Sequence, residues 1–145
     1  MSYADIRSHN KAALAHKKIK DLKAGQRTIV FYNPRLRVGA SKQEIRFPYS
    51  GKVKEVYVSC ASPGSERTVL RIEKCSQADF DTNPVWVSVT GDVVLDPNEK
   101  STNTASISTT FIDDYINESD HVRLMVYEVG SGLEGVTVEV VVELQ

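Results

Sequence analysis

The stretch "SPGSERTVLRIEKC", Ser62 to Cys75, sets a Gly-Ser pair and an arginine just ahead of an apolar run. A phosphate-binding loop uses such an order, with converging backbone N–H groups followed by a helix N-terminus. Only Gly64 is present here, and Thr68, Leu70 and Ile72 alternate with Val69, Arg71 and Glu73, which predicts a strand where that loop needs a helix. Pro63 and Gly64 suit the second and third positions of a type II turn over Ser62 to Ser65. The stretch "DFDTNPVWVSVT" opens like a calcium loop at Asp79, Asp81 and Asn83, but Pro84 stands where that loop needs glycine and Thr90 where it needs a bidentate glutamate. A loop leading into a strand is expected, with no metal site. "FIDDYINESD" gathers Asp113, Asp114, Glu118 and Asp120. A carboxylate pair does acid–base work only when burial splits the two pKa values, and so polar a run predicts a solvated loop. His9, His16 and His121 are scattered, and no nucleophile–histidine–carboxylate set, zinc motif or Walker pattern occurs. No enzymatic constellation and no cofactor are expected.

Two cysteines and one tryptophan complete the reactive or adhesive inventory. If the Ser62 to Ser65 turn closes a hairpin, Cys60 stands opposite about residue 68 and Cys75 opposite about residue 53, too far apart to bridge. Free thiols follow, consistent with a reducing compartment. Trp86 alternates with Val85 and Val87, so if the valines are core it faces outward. There it can anchor a protein interface, stack on a sugar ring with the loop tyrosines Tyr32 and Tyr49, or lie beneath an N-terminal helix.

The elements that must position these residues fall into two unlike parts. The whole chain has an ordinary 26% of charged residues and a net charge of −1, which gives no electrostatic case for nucleic acid or a membrane surface. No apolar run approaches the roughly 20 residues of a membrane-spanning helix, and "MSYADIRSHNK" lacks the apolar core of a signal peptide, so a cytoplasmic location is expected. Residues 1–27, however, hold seven basic side chains against Asp5 and Asp21, leaving the rest of the chain acidic. From Ala4 to Lys23 there is no proline or glycine, and Ala12, Ala15, Ile19 and Leu22 share one helical stripe. One amphipathic basic helix is expected over residues 1–27, with Ile19 and Leu22 as candidate partner-binding residues beside Trp86. No aromatic side chain interleaves its lysines, so it is not read as a nucleic-acid arm.

Residues 28–145 form the expected second domain. Short alternating runs there predict strands at Thr28 to Tyr32, Glu44 to Phe47, Lys52 to Ala61, Thr68 to Lys74, Val85 to Val89, Val93 to Asp96, Ala105 to Phe111, Val122 to Tyr127 and Val136 to Leu144. The Gly-rich link "EVGSGLEG" predicts that the last two pair as a hairpin. Such strand density predicts a mainly β fold: an antiparallel, jelly-roll-like β-sandwich preceded by one N-terminal α-helix.

"FPYSGKVKEVYVSCASPGSERTVLRIEK" together with "ESDHVRLMVYEVGSGLEGVTVEVVVEL" resembles the β-sandwich domains of bacteriophage tail, baseplate and fibre proteins. The shared features are an aromatic-to-glycine opening turn, Phe47 to Gly51; the Pro63-Gly64 turn; an acidic turn at Ser119-Asp120; and the Gly-rich link from Gly130 to Gly135. With its basic helix and small size, the chain resembles a short accessory tail-region protein of a Bacillus siphophage. Its sandwich is similar to the shoulder domain of lactococcal phage receptor-binding proteins. The resemblance covers roughly residues 47 to 145. It implies a structural or adaptor role among other phage structural proteins, in the infected cell or the virion. Binding of a host-surface glycan through Trp86, Tyr32 and Tyr49 is the alternative.

Overall fold

The computed structural model describes residues 25–145, so the expected helix and its Ile19 and Leu22 lie outside the described residues. In chain order the elements are β1 (Gln26–Asn33), β2 (Gly39–Ala40), β3 (Ile45–Arg46), β4 (Gly51–Ser62), β5 (Thr68–Cys75), α1 (Gln77–Thr82), β6 (Val87–Ser88), β7 (Val93–Leu95), a 3-10 turn (Thr102–Thr104), β8 (Tyr115–Ile116), β9 (His121–Glu128) and β10 (Glu134–Leu144). The chain is mainly β. Among the described residues the strands make two antiparallel sheets, one ordered β1-β10-β4-β8 and the other β2-β9-β5-β6, with β3 also on β9 and β7 also on β5.

Period-2 patterning explains how the sheets meet. Val136, Val138, Val140 and Val142 of β10 and Val53, Val56 and Val58 of β4 face inward from the first sheet, and Leu70, Ile72, Val122, Leu124 and Val126 face them from the second. All belong to one apolar cluster, a sandwich-like arrangement. A bulge in β4 opposite Val141 and Val142 re-phases its inward side chains, so Val53 and Val56 both reach the core.

Both expected hairpins are instead crossings between sheets. β4 pairs with β10 and β8, whereas β5 pairs with β9, β6 and β7, and β9 and β10 belong to different sheets. Gly64 has no positive φ, so Ser62 to Ser65 is not a type II turn. Its glycine answers a different need: a Cβ there would stand 2.9 Å from Gly130 Cα, and one on Gly130 would stand 2.2 Å from the Glu66 carbonyl oxygen. The two crossings lie against each other, joined by Ser65 N–H to the Ser131 carbonyl and by Gly130 N–H to Thr68 Oγ1, both at 2.9 Å. Cys60 and Cys75 are therefore free for a reason other than hairpin register: they sit in different sheets, with Cys60 opposite Val136 and Cys75 opposite His121.

The expected strand at Ala105 to Phe111 is absent. The segment from Ser101 to Ile116 spends its backbone bonds on both sheet margins, at Ser59↔Ser101, Thr90↔Phe111 and Lys52↔Tyr115, and so straps one side of the sandwich. Lys74 fastens the strap. It points inward from β5, where its Nζ donates to Asp113 Oδ1 at 2.7 Å and to the Tyr115 carbonyl.

Candidate functional site

Because Leu70, Ile72, Val122 and Leu124 point inward, the alternate residues Arg71, Glu73, Cys75, His121, Arg123 and Tyr127 fall on the outer side of the second sheet. Register sets Glu73 beside Arg123, whose Nε donates to Glu73 Oε1 at 2.9 Å with both side chains largely shielded from water. Immediately after Cys75 the chain turns into α1, because Ser76 Oγ accepts the Asp79 N–H at 3.2 Å as an N-cap. This turn lays Phe80 flat on His121, with ring centroids 3.7 Å apart and planes 3° from parallel. His121 Nε2 lies 2.9 Å from Gln77 Oε1, within hydrogen-bond distance. Trp86 meets Phe80 edge to face at 6.4 Å, and the Arg123 guanidinium lies 3.9 Å from the indole centroid. One continuous series results: Glu73, Arg123, Trp86, Phe80, His121.

The same face continues away from α1. Arg71 bonds Asp92 at 2.9 Å and lies 5.5 Å from the Tyr127 ring, and Arg67 forms a bidentate pair with Glu128 at 2.8 and 3.0 Å. The Arg67 pairing lowers the Glu128 carboxyl below its ordinary pKa. The surface is thus rich in tryptophan, tyrosine and arginine, and its charges are matched locally.

Trp86 is half-buried, but the reason differs from the one its alternation suggested. Val85 and Val87 are not core; they are 55% and 41% exposed. It is α1 and Arg123 that cover the indole. Tyr32 and Tyr49 are exposed and lie elsewhere: Tyr32 on β1 of the first sheet, Tyr49 edge-on to Phe47 at 5.8 Å with the Arg27 guanidinium 5.5 Å from its ring. Five residues of strand separate Arg27 from Tyr32, about 16 Å, so the three aromatics do not form one platform. Phe80, His121, Gln77 and Arg123 were not singled out together by sequence reasoning. The available signal was Ser76-x-x-Asp79, the start of a helix.

The acidic run is not one solvated loop. Asp113 holds Lys74, Asp114 lies 3.6 Å from Lys52, and Asp120 is only 4% exposed, accepting the Asn117 N–H at 2.9 Å. Asp79 and Asp81 are exposed on α1 rather than in a loop, and no group of three potential metal ligands gathers among the described residues. Cys75 and His121, side by side across β5 and β9, have the residue types of a nucleophile and its base. Burial pushes the Cys75 thiol up, its Sγ lies 3.5 Å from the Ser76 carbonyl, and Phe80 caps the imidazole. The pair is packed as structure, without a thiolate. Beside β4, a cavity of about 340 Å³ lined by Tyr57, Thr102, Ile107 and Phe111 opens under the strap. No protein-family model matches the chain, and no curated protein matches it in a sequence search.

Proposed function

We propose that this chain is a non-enzymatic structural or adaptor module of a bacteriophage tail or baseplate region, a jelly-roll-like sandwich acting through contacts with other phage structural proteins. The observation that carries the reading is the Arg123–Trp86–Phe80–His121 series: aromatic and arginine side chains packed on one another over the outer side of the second sheet, of the types that dominate protein interfaces. The basic helix expected over residues 1–27 supplies a second attachment element, with Ile19 and Leu22 on its apolar stripe. The glycan alternative has less support, because Arg123 already takes one face of the indole and Tyr32 and Tyr49 stand apart from it. Immunogold labelling of purified particles tests the role, with label expected in the tail region. Particles assembled with Trp86→Ala should lose it. Glycan-array binding that disappears with the same substitution would select the alternative instead.

A further inference from the structure

The sheet margins differ sharply in length. β8, β2, β3 and β6 are two residues long and β7 is three, the blunt margins by which β proteins avoid pairing with other chains. β1 is eight residues long, keeps an unbroken register with β10, and among the described residues no strand pairs with its other side. Which of its backbone groups face outward is fixed twice over. Leu144 N–H donates to the Gly25 carbonyl, so the odd-numbered residues of β1 bond β10. On the far side of the sheet, Val58 and Cys60 of β4 donate away from β10, to Thr102 and Lys100, and this assigns the even-numbered residues of β10 to β1. Thr28, Val30 and Tyr32 therefore direct their N–H and C=O groups away from the sheet. Thr28, Val30 and Tyr32 are exposed among the described residues, and a gap of about 470 Å³ lies between Phe31 to Asn33 and Ser41 to Gln43 of the second sheet's margin.

From this bare margin we infer that β1 is a self-association edge, pairing antiparallel with β1 of a second copy of this chain across a two-fold axis at Val30. That register sets Val30 opposite Val30 of the partner and Thr28 opposite Tyr32 in both directions, so all six outward backbone groups find partners. Val30 and Tyr32, 48% and 58% exposed, then meet β-branched side chains across the new pair, a favourable match for an antiparallel sheet. No charged side chain lies between Thr28 and Tyr32, so no like charges collide at the axis. A second copy is favoured over another partner because the Thr28 to Tyr32 stretch, without charge or proline, is self-complementary at this register, which sets Arg27 opposite the partner's Asn33 rather than another charge, and the first sheet continues without a break through the dimer. The area is small against the roughly 800 Å² per partner of a stable complex, so association belongs in the range of about 10 µM to 1 mM, where copies are held close together.

Sedimentation equilibrium of the full chain up to about 1 mM should show a reversible monomer–dimer equilibrium. Val30→Lys, which places two ammonium groups opposite each other at the axis, should weaken it by at least about tenfold while leaving the circular dichroism spectrum unchanged. A second variant fixes the register. Val30→Cys should give a disulfide-linked dimer under copper–phenanthroline oxidation, whereas Thr28→Cys, whose two copies stand about 13 Å apart in this register, should not. A chain that stays monomeric at 1 mM, as it would if its own residues 1–24 took the edge, overturns the inference. So does a dimer that Val30→Lys leaves intact, or one that Thr28→Cys links as readily as Val30→Cys.

Discussion

Asp120 shows how one side chain departs from its local composition. Five polar or acidic neighbours suggest solvation, yet its carboxylate is turned inward to accept the Asn117 N–H and close the turn that starts β9. Burial raises its pKa above the ordinary value, and the Asn117 hydrogen bond and nearby Lys74 oppose the shift without cancelling it. A carboxyl raised in the folded state favours folding at pH values below its unfolded pKa, and that contribution is lost as pH rises through the folded value. Ionised Asp120 therefore costs stability at neutral pH. Asp120→Asn, which keeps an acceptor for Asn117, should have a urea midpoint at pH 7 equal to or above wild type, the two converging as pH falls below the ordinary aspartate range. A variant clearly less stable at pH 7 would show that the charge itself is needed. Burial likewise separates two ion pairs of similar geometry. Arg123→Ala strands the shielded Glu73 carboxylate and removes the cover of Trp86, at an expected cost of about 2–3 kcal/mol in urea unfolding. Arg67→Ala breaks a pair about half-exposed on both sides and should leave the urea midpoint nearly unchanged. Equal losses would contradict the difference in shielding.

At the scale of elements, the two crossings between sheets depend on Gly64 and Gly130. An alanine methyl at Gly130 would meet backbone atoms of Glu66, which cannot rotate away as a side chain can. Gly130→Ala should therefore destabilise by about 1–3 kcal/mol, with an unchanged m-value in urea. A loss below about 0.5 kcal/mol would mean that the crossings can separate at little cost. These glycines also mark the limit of what the sequence discloses. The long strands are legible because alternation is a local property: Val136 to Leu144, Val122 to Tyr127 and Thr68 to Lys74 all fall within observed strands. Glycine-rich links are equally legible as places where the chain turns, but not as to destination, since a hairpin and a crossing use the same residues and differ only in which sheet the next strand joins. Ala105 to Phe111 has strand composition and forms no strand, because its backbone bonds are scattered: Ala105 N–H returns to the Thr102 carbonyl, Ser106 N–H goes to the Asp96 carboxylate, and Thr110 and Phe111 meet only Gly91 and Thr90. The stack on the second sheet stayed hidden for a related reason. His121 and Arg123 lie some forty residues from Phe80 and Trp86, and only the antiparallel register of β5 with β9 and the short helix α1 bring them together.

For the whole molecule, the question is whether two sheets joined mainly by crossings behave as one folding unit. Core side chains from both sheets belong to a single apolar cluster, and Lys74 of the second sheet is tied to Tyr115, which pairs with the first. Neither sheet can open without exposing the inward valines of the other, which predicts a cooperative transition. The two free cysteines are natural reporters, since Cys60 lies in β4 and Cys75 in β5, and burial raises both thiols. Neither should react appreciably in the folded state, because both thiolate formation and access require opening. In dilute urea each should be labelled by iodoacetamide at a rate set by global unfolding, so the two rate constants should agree within about twofold, and full denaturation should give two adducts by intact mass. The stringent part of the test is Cys75, which is covered by the six-residue helix α1. If the Phe80–His121–Trp86 packing holds that helix to the sheet, Cys75 keeps pace with Cys60. Labelling of Cys75 about tenfold faster would mean that α1 lifts away by itself, and the aromatic series would then be a mobile surface rather than the rigid one on which the proposed contact depends.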